Sequence, residues 1–228
     1  MEVKDTLSPV ISLTGAAEIT LAVGATFTDP GSSVSDSFEG SLSATVTGTV
    51  DTSTPGTHIL KYNASDSTGN PATEVIRTVN VTDQTGPVIT LSGPVNQGGA
   101  NFMDHEAGVA YVDPGTTATD NVDGTVPVIT TGTVDVSTLG TYTLTFNATD
   151  AAGNAAAPVT RTVVVRDTIA PVITLTGAAE ITLAVGDTFT DPGSSVSDSF
   201  ETGLSATATG TVDSRVLSAS RSLSSSPG

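Results

Sequence analysis

The sequence predicts an all-β chain of tandem antiparallel β-sandwiches, the third of them truncated, and three observations carry that prediction. Residues 9–48 return at 171–210 with only five substitutions, and a looser copy starts at Pro87. Copies laid head to tail build reach rather than the unlike parts of an enzyme fold. Thr, Val, Gly and Pro are abundant and aromatic residues make up only 4%, which suits short strands and tight turns and gives helices little to work with. Period-two alternation is plain in Thr141-Tyr142-Thr143-Leu144-Thr145-Phe146. It puts Tyr142, Leu144 and Phe146 on one face and a Thr row on the other, as in a half-buried strand.

Taken in order along the first copy, the same pattern predicts strands at 10–13, 19–23, 25–28, 42–50, 58–64 and 75–81. The turns between them have mechanisms. Asp29-Pro30-Gly31 suits a type II turn, and Asp66-Ser67-Thr68-Gly69-Asn70 a short hairpin loop. Six or seven strands in fewer than about 85 residues point to an Ig-like sandwich. Anchors set the period: Pro-Val-Ile at Pro9, Pro87 and Pro171; Asp-Pro-Gly at Asp29, Asp113 and Asp191; Gly-Thr-Val-Asp at Gly48, Gly132 and Gly210. Asn-Ala-Ser/Thr-Asp at Asn63 and Asn147 and Arg-Thr-Val at Arg77 and Arg161 have no counterpart in the third copy. The expected domains are therefore 5–83, 84–167, a partial copy at 168–213, and a tail at 214–228 that matches nothing earlier and is expected to be disordered.

The order D-x-x-x-P-V-I, G-x-x-F/Y-x-D-P-G, G-T-V-D, Y/F-N-A-x-D-x-x-G-N, R-T-V-x-V resembles the bacterial Ig-like repeats, related to hyalin-type repeats, that stand in tandem in large surface and adhesin-like proteins. The resemblance covers about residues 5–213. It implies a β-sandwich in a secreted or surface-anchored chain, with a structural or adhesive role and no catalytic centre. The copy from Pro171 departs from it by lacking the last strands.

Composition narrows the function. Acidic residues number 24 against 7 basic, for a net charge of −17, which repels nucleic acid and anionic membrane alike. With no Cys, thiolate metal sites and thiol catalysis are excluded. No apolar run approaches the ~20 residues of a membrane span, and Met1-Glu2-Val3-Lys4-Asp5 has no signal-peptide core. An extracellular or cell-surface location therefore implies an export signal outside this chain. No G-x-S-x-G occurs and no His stands ready to serve a Ser, so an enzyme is not expected.

The acids are mostly Asp, 17 against 7 Glu, and Asp both forms turns and ligates hard cations. Asp5, Asp83 and Asp167 each open a D-x-x-x-P just before a copy begins. In an Ig-like topology the loops after the second and sixth strands lie at the same pole as the domain's N-terminus. That brings Asp83 toward Asp120, Asp123, Asp150 and Asn154, and in the first copy Asp5 toward Asp36, Asp66 and Asn70. Such sets are the candidate Ca²⁺ ligands, although turn chemistry selects the same residues and the spacing is not that of an EF-hand.

Other residues read as structural. His58 occupies the position of Tyr142 and is expected to pack at a strand. Asp104-His105-Glu106 is expected to be a solvated loop. Arg77 and Arg161 are expected to pair with an acid at a strand end for about 0–1 kcal/mol if exposed. The sequons at Asn63, Asn80 and Asn147 matter only in a glycosylating host. The expected role is a structural or adhesive spacer, its partners being neighbouring repeats and an unidentified surface protein or glycan. The alternative is a carbohydrate- or ligand-binding accessory module of a secreted enzyme or toxin. That alternative wants exposed aromatic platforms, and this chain has no Trp, 3 Tyr and 6 Phe.

Overall fold

The computed structural model describes residues 4–93 and 101–215 together with the backbone pair 223–224. The first copy supplies β1 (Val10–Leu13), β2 (Glu18–Ala22), β3 (Ser32–Ser35), β4 (Thr45–Thr47), β5 (Gly56–Asn63) and β6 (Val75–Thr82). The second supplies β7 (Val88–Leu91), β8 (Phe102–Glu106), β9 (Thr116–Asp120), β10 (Gly124–Val126), β11 (Val128–Thr131), β12 (Gly140–Ala148) and β13 (Val159–Arg166). The third has β14 (Val172–Leu175), β15 (Ser194–Ser197) and β16 (Thr207–Ala208), followed by β17 (Leu223–Ser224). Among the described residues there is no helix. The chain divides into two compact units: Met1–Ser92, Gly115–Thr130 and Phe146–Val159 form one, and Gly93–Pro114, Thr131–Thr145 and Thr160–Gly228 the other.

In the first copy β1 pairs antiparallel with β3, and the second sheet runs β2-β6-β5-β4. There β2 lies parallel to β6, with Ile19 opposite Val79, and β5 lies antiparallel to it. Alternation decides which side chains turn inward. Leu60 and Tyr62 of β5 are buried while Ile59, next to Leu60 on the other face, is 46% exposed. Ile11 joins them across the sandwich, with Phe27, Val34, Val50 and Val75 packed around. The corresponding sheets of the second copy run β10-β9-β7 and β11-β12-β13-β8, again with a parallel pair, β8 on β13.

Three sequence expectations change. Residues 25–28 are not a strand; Phe27 packs on the core, but the segment joins no ladder. The first sheet is instead completed by Ser32–Ser35, a Ser-rich run whose only large apolar residue is Val34, opposite Ile11. The strand expected over 42–50 shrinks to Thr45–Thr47, with Leu42 in a single bridge to Val34. Asp104-His105-Glu106 is not a loop. It belongs to β8 and pairs residue by residue with Val164, Val165 and Arg166.

The third copy shows what a strand needs besides its sequence. β14 pairs with β15 as β1 does with β3, yet residues 180–184, identical to β2, form no strand. Their partner would be a second β6, which the third copy lacks. Of the tail expected to be disordered, residues 216–222 and 225–228 lie outside the described residues.

Candidate metal centre

The D-x-x-x-P segments fold alike. Asp5 Oδ1 accepts from the Leu7 amide at 3.0 Å, Asp83 Oδ1 from Thr85 at 3.1 Å and Asp167 Oδ1 from Ile169 at 3.2 Å. Each aspartate thus turns the chain into the next copy with one carboxylate oxygen and leaves the other for something else.

The loop after β12 comes to meet this turn. Asp150, 7% exposed, accepts from the Asn154 amide at 2.7 Å and from Asn154 Nδ2 at 2.8 Å. The same Nδ2 donates to the Asp83 carbonyl at 3.3 Å, stapling the turn to the loop. The loop after β9 closes the third side. Asp120 Oδ1 accepts from the Val122 and Asp123 amides, and Asp123 Oδ2 from Ala151 at 2.7 Å. Of the predicted residues, Asp83, Asp123 and Asp150 each bring a carboxylate oxygen within 4.8 Å of the others. Asp120 stands beside that group and Asn154 holds it as a hydrogen-bond donor.

Two oxygens there are conspicuous. Asp83 Oδ2 and Asp120 Oδ2 are buried with no hydrogen-bond donor, and the equivalent Asp5 Oδ2 and Asp36 Oδ2 of the first copy are in the same condition. A buried carboxylate oxygen without a donor is costly unless a cation or proton meets it. Protonation is not the answer at Asp120. The amides of Asp123 and Val122 outweigh its desolvation and hold its carboxyl below the ordinary 3.8. Residues with free oxygen lone pairs, close together and negatively charged, fit a hard cation.

The first copy keeps most of the arrangement. Asn70 bonds Asp66 at 2.7 Å and 2.6 Å and reaches the Asp5 carbonyl at 3.3 Å. Burial raises the Asp66 carboxyl, and its bonds from Asn70, Thr68 and Gly69 more than offset this and hold it below 3.8. The place of Asp123 is taken by Glu39, whose Oε1 accepts from the Ser67 amide and hydroxyl. Among the described residues only the Asp83 joint assembles three acids. Glu39 was missed from sequence because the candidates were chosen among aspartates and asparagines.

A second feature was foreseen only as a pairing of each arginine with an acid, not as a buried one. Arg77 and Arg161 are not surface cations but are 0% and 3% exposed. Arg77 pairs with Asp29 and donates to the Thr14 and Gly31 carbonyls, while the Tyr62 hydroxyl donates to the same Asp29 oxygen at 2.7 Å. In the second copy Arg161 meets Asp113 at 3.3 Å, and the hydroxyl comes from Tyr111 at 3.0 Å. The aromatic positions have exchanged roles: Phe27 and Tyr62 in one copy, Tyr111 and Phe146 in the next. A signal for the buried arginine did exist. Val75, Arg77, Val79 and Val81 are alternate residues of β6 and so share the core face.

Comparison with known proteins agrees with this architecture. Residues 11–81 and 96–165 match the family described as bacterial surface protein, Ig-like domain. No curated protein matches the chain. Among solved structures, the lipoprotein BT2262 from Bacteroides thetaiotaomicron is 31% identical over 37% of this chain, with a TM-score of 0.31. The match spans 39% of that lipoprotein's length. With both complete copies matched, over more than half of its length, the chain belongs to the Ig-like domain family of bacterial surface proteins.

Proposed function

We propose that the chain is a spacer segment of a longer surface array, serving adhesion, and that Ca²⁺ stiffens its repeat joints. The observation that carries the calcium reading is the convergence of Asp83, Asp123 and Asp150 within 4.8 Å, beside donorless buried oxygens that recur at the same two positions in both copies. Asp83, Asp123 and Asp150 would hold the ion with Asp120 at their side, and the bound charge would relieve their mutual repulsion. Neighbouring repeats are the partners in the chain, and a surface protein or glycan is the partner beyond it.

A thermal melt of the full chain in chelator, in millimolar Mg²⁺ and in millimolar Ca²⁺ tests the reading. Calcium at ten times its Kd adds about 1.4 kcal/mol, so the melt should rise by roughly 6–11 °C for a domain of this size. Asp123→Asn should lose that rise while melting normally in chelator. No rise, or an equal rise in the variant, would return these aspartates to turn chemistry alone.

A further inference from the structure

The turn between β9 and β10 holds a pair of residues found nowhere else in the chain. Of the 17 aspartates only Asp123 is followed by glycine, and no asparagine is. Such a pair cyclises more readily than any other aspartyl pair, because the attacking amide nitrogen has no side chain beside it. The turn leaves it open. Asp123 and Gly124 are both exposed, and Gly124 lies at φ +70°, a left-handed conformation that favours glycine. Apart from its chain neighbours, no described atom lies within 4 Å of the place a Cβ on Gly124 would take. Among the described residues the Asp123 carboxylate accepts one hydrogen bond, from the Ala151 amide at 2.7 Å. Breaking that bond frees it to swing toward the next amide. The first copy has Glu39-Gly40 at this place, and a glutamate has to close a larger ring, which forms far more slowly.

We propose that Asp123-Gly124 is a spontaneous modification site, at which Asp123 turns into isoaspartate and the acidic set at the Asp83 joint comes apart. The Gly124 nitrogen attacks Cγ of the protonated Asp123 carboxyl. The N–Cγ bond forms, and the carboxyl's hydroxyl leaves with the amide proton as water, giving a succinimide. Water then adds to one of the two ring carbonyls. Opening at the N–Cγ bond restores aspartate, whereas opening at the former main-chain carbonyl leaves Gly124 joined through Cγ, which is isoaspartate. One water is released and one taken up, and no other reagent is needed. In isoaspartate the free carboxyl sits directly on Cα and the main chain is longer by one carbon. The Ala151 amide thereby loses its acceptor, and the oxygen that Asp123 holds within 4.8 Å of Asp83 and Asp150 is withdrawn. No bound ion takes part.

The test ages the full chain in chelator at neutral pH and physiological temperature, then maps its peptides by electron-transfer fragmentation, which tells isoaspartate from aspartate. Isoaspartate is expected at Asp123 and not at Asp120 or Asp135, which are followed by Asn121 and Val136. Asp123→Glu, which keeps both the charge and the glycine, should show no conversion there. In the separated modified chain, exchange of the Ala151 amide should quicken by about tenfold or more, as loss of a bond to a charged acceptor requires. Conversion at Asp123 only after unfolding in urea shows that the turn withholds the pair and overturns the proposal. Conversion to the same extent at Asp120 and Asp135 overturns it too, and so does unchanged exchange at Ala151 in the modified chain. Chelator is present throughout, so a chain that binds no calcium gives the same readings.

Discussion

Removing the Tyr62 hydroxyl tests whether the buried arginine cluster holds the first repeat together. In Tyr62→Phe the bond to Asp29 at 2.7 Å is lost, while Arg77 and the Gly31 amide still hold that carboxylate. Hydrogen bonds to a charged group are worth about 1.5–3 kcal/mol, and the remaining partners favour the lower end, about 1.5–2. For a repeat of this length that corresponds to a fall of roughly 6–15 °C in melting temperature. Amide exchange at 56–63 and 75–82 is the suitable assay, because it reports on this repeat and leaves the second as an internal reference. The exchanged pair supplies the control. Phe27→Tyr in the Tyr62→Phe background recreates the second repeat's arrangement, in which Tyr111 reaches Asp113 at 3.0 Å and the position of Tyr62 is held by Phe146. Recovery of about half the loss or more is expected. If Tyr62→Phe costs nothing, or if the double variant is worse than the single, the hydroxyl is not part of what fastens the two sheets.

Further outcomes follow from the same structure. Asp29→Asn leaves Arg77, 0% exposed, without its counter-charge and should cost about 3–5 kcal/mol, read as loss of the first transition in calorimetry. Burial, and then the bond to Asp29, push the Tyr62 hydroxyl up to about 12. The folded state therefore keeps a proton that the unfolded chain releases near 10, so stability is complete below pH 10 and declines toward 12; Tyr62→Phe should flatten that decline in an alkaline melt series. At the acid end Asp120 is held below 3.8, so its contribution is present above pH 3.8 and is lost as pH falls through the lower folded value; Asp120→Asn in chelator should flatten that limb. Gly132 lies at φ +95°, and a Cβ there would run into the Thr143 carbonyl. Gly132→Ala should cost at least about 1–2 kcal/mol, read as faster exchange in β12.

The sequence was most legible where a local rule acts alone. The Asp-Pro-Gly turn needs only its own residues: Gly31 at φ +83° and its amide 3.0 Å from Asp29 Oδ1. Alternation likewise found β5, β6 and β12. It failed at Ser32–Ser35, where serine carries no sign of face, and at 25–28, where Phe27 points inward without a neighbouring strand to pair. Glu-Ile-Thr-Leu-Ala at 18–22 and 180–184 marks the limit most sharply, since identical residues pair in one place and not in the other. The site was legible as a meeting of loops because the Ig-like topology places them at one pole. The burial of Arg77 was not, because its charge was weighed before its register.

The alternation of Tyr and Phe between adjacent repeats also bears on synthesis. Two neighbouring, similar domains emerging from a ribosome are prone to trade strands before each has closed. Here a trade between first and second repeats is marked as wrong from inside. Phe27 with Phe146 supplies the aspartate with no hydroxyl, and Tyr111 with Tyr62 crowds two against one carboxylate. The half-sandwich of the first type recurs only after a full two-repeat interval, with Phe189 in the place of Phe27, when the earlier copy has had time to close. An array of identical first repeats should therefore refold in lower yield than the alternating array, a difference that refolding of the two from urea would reveal.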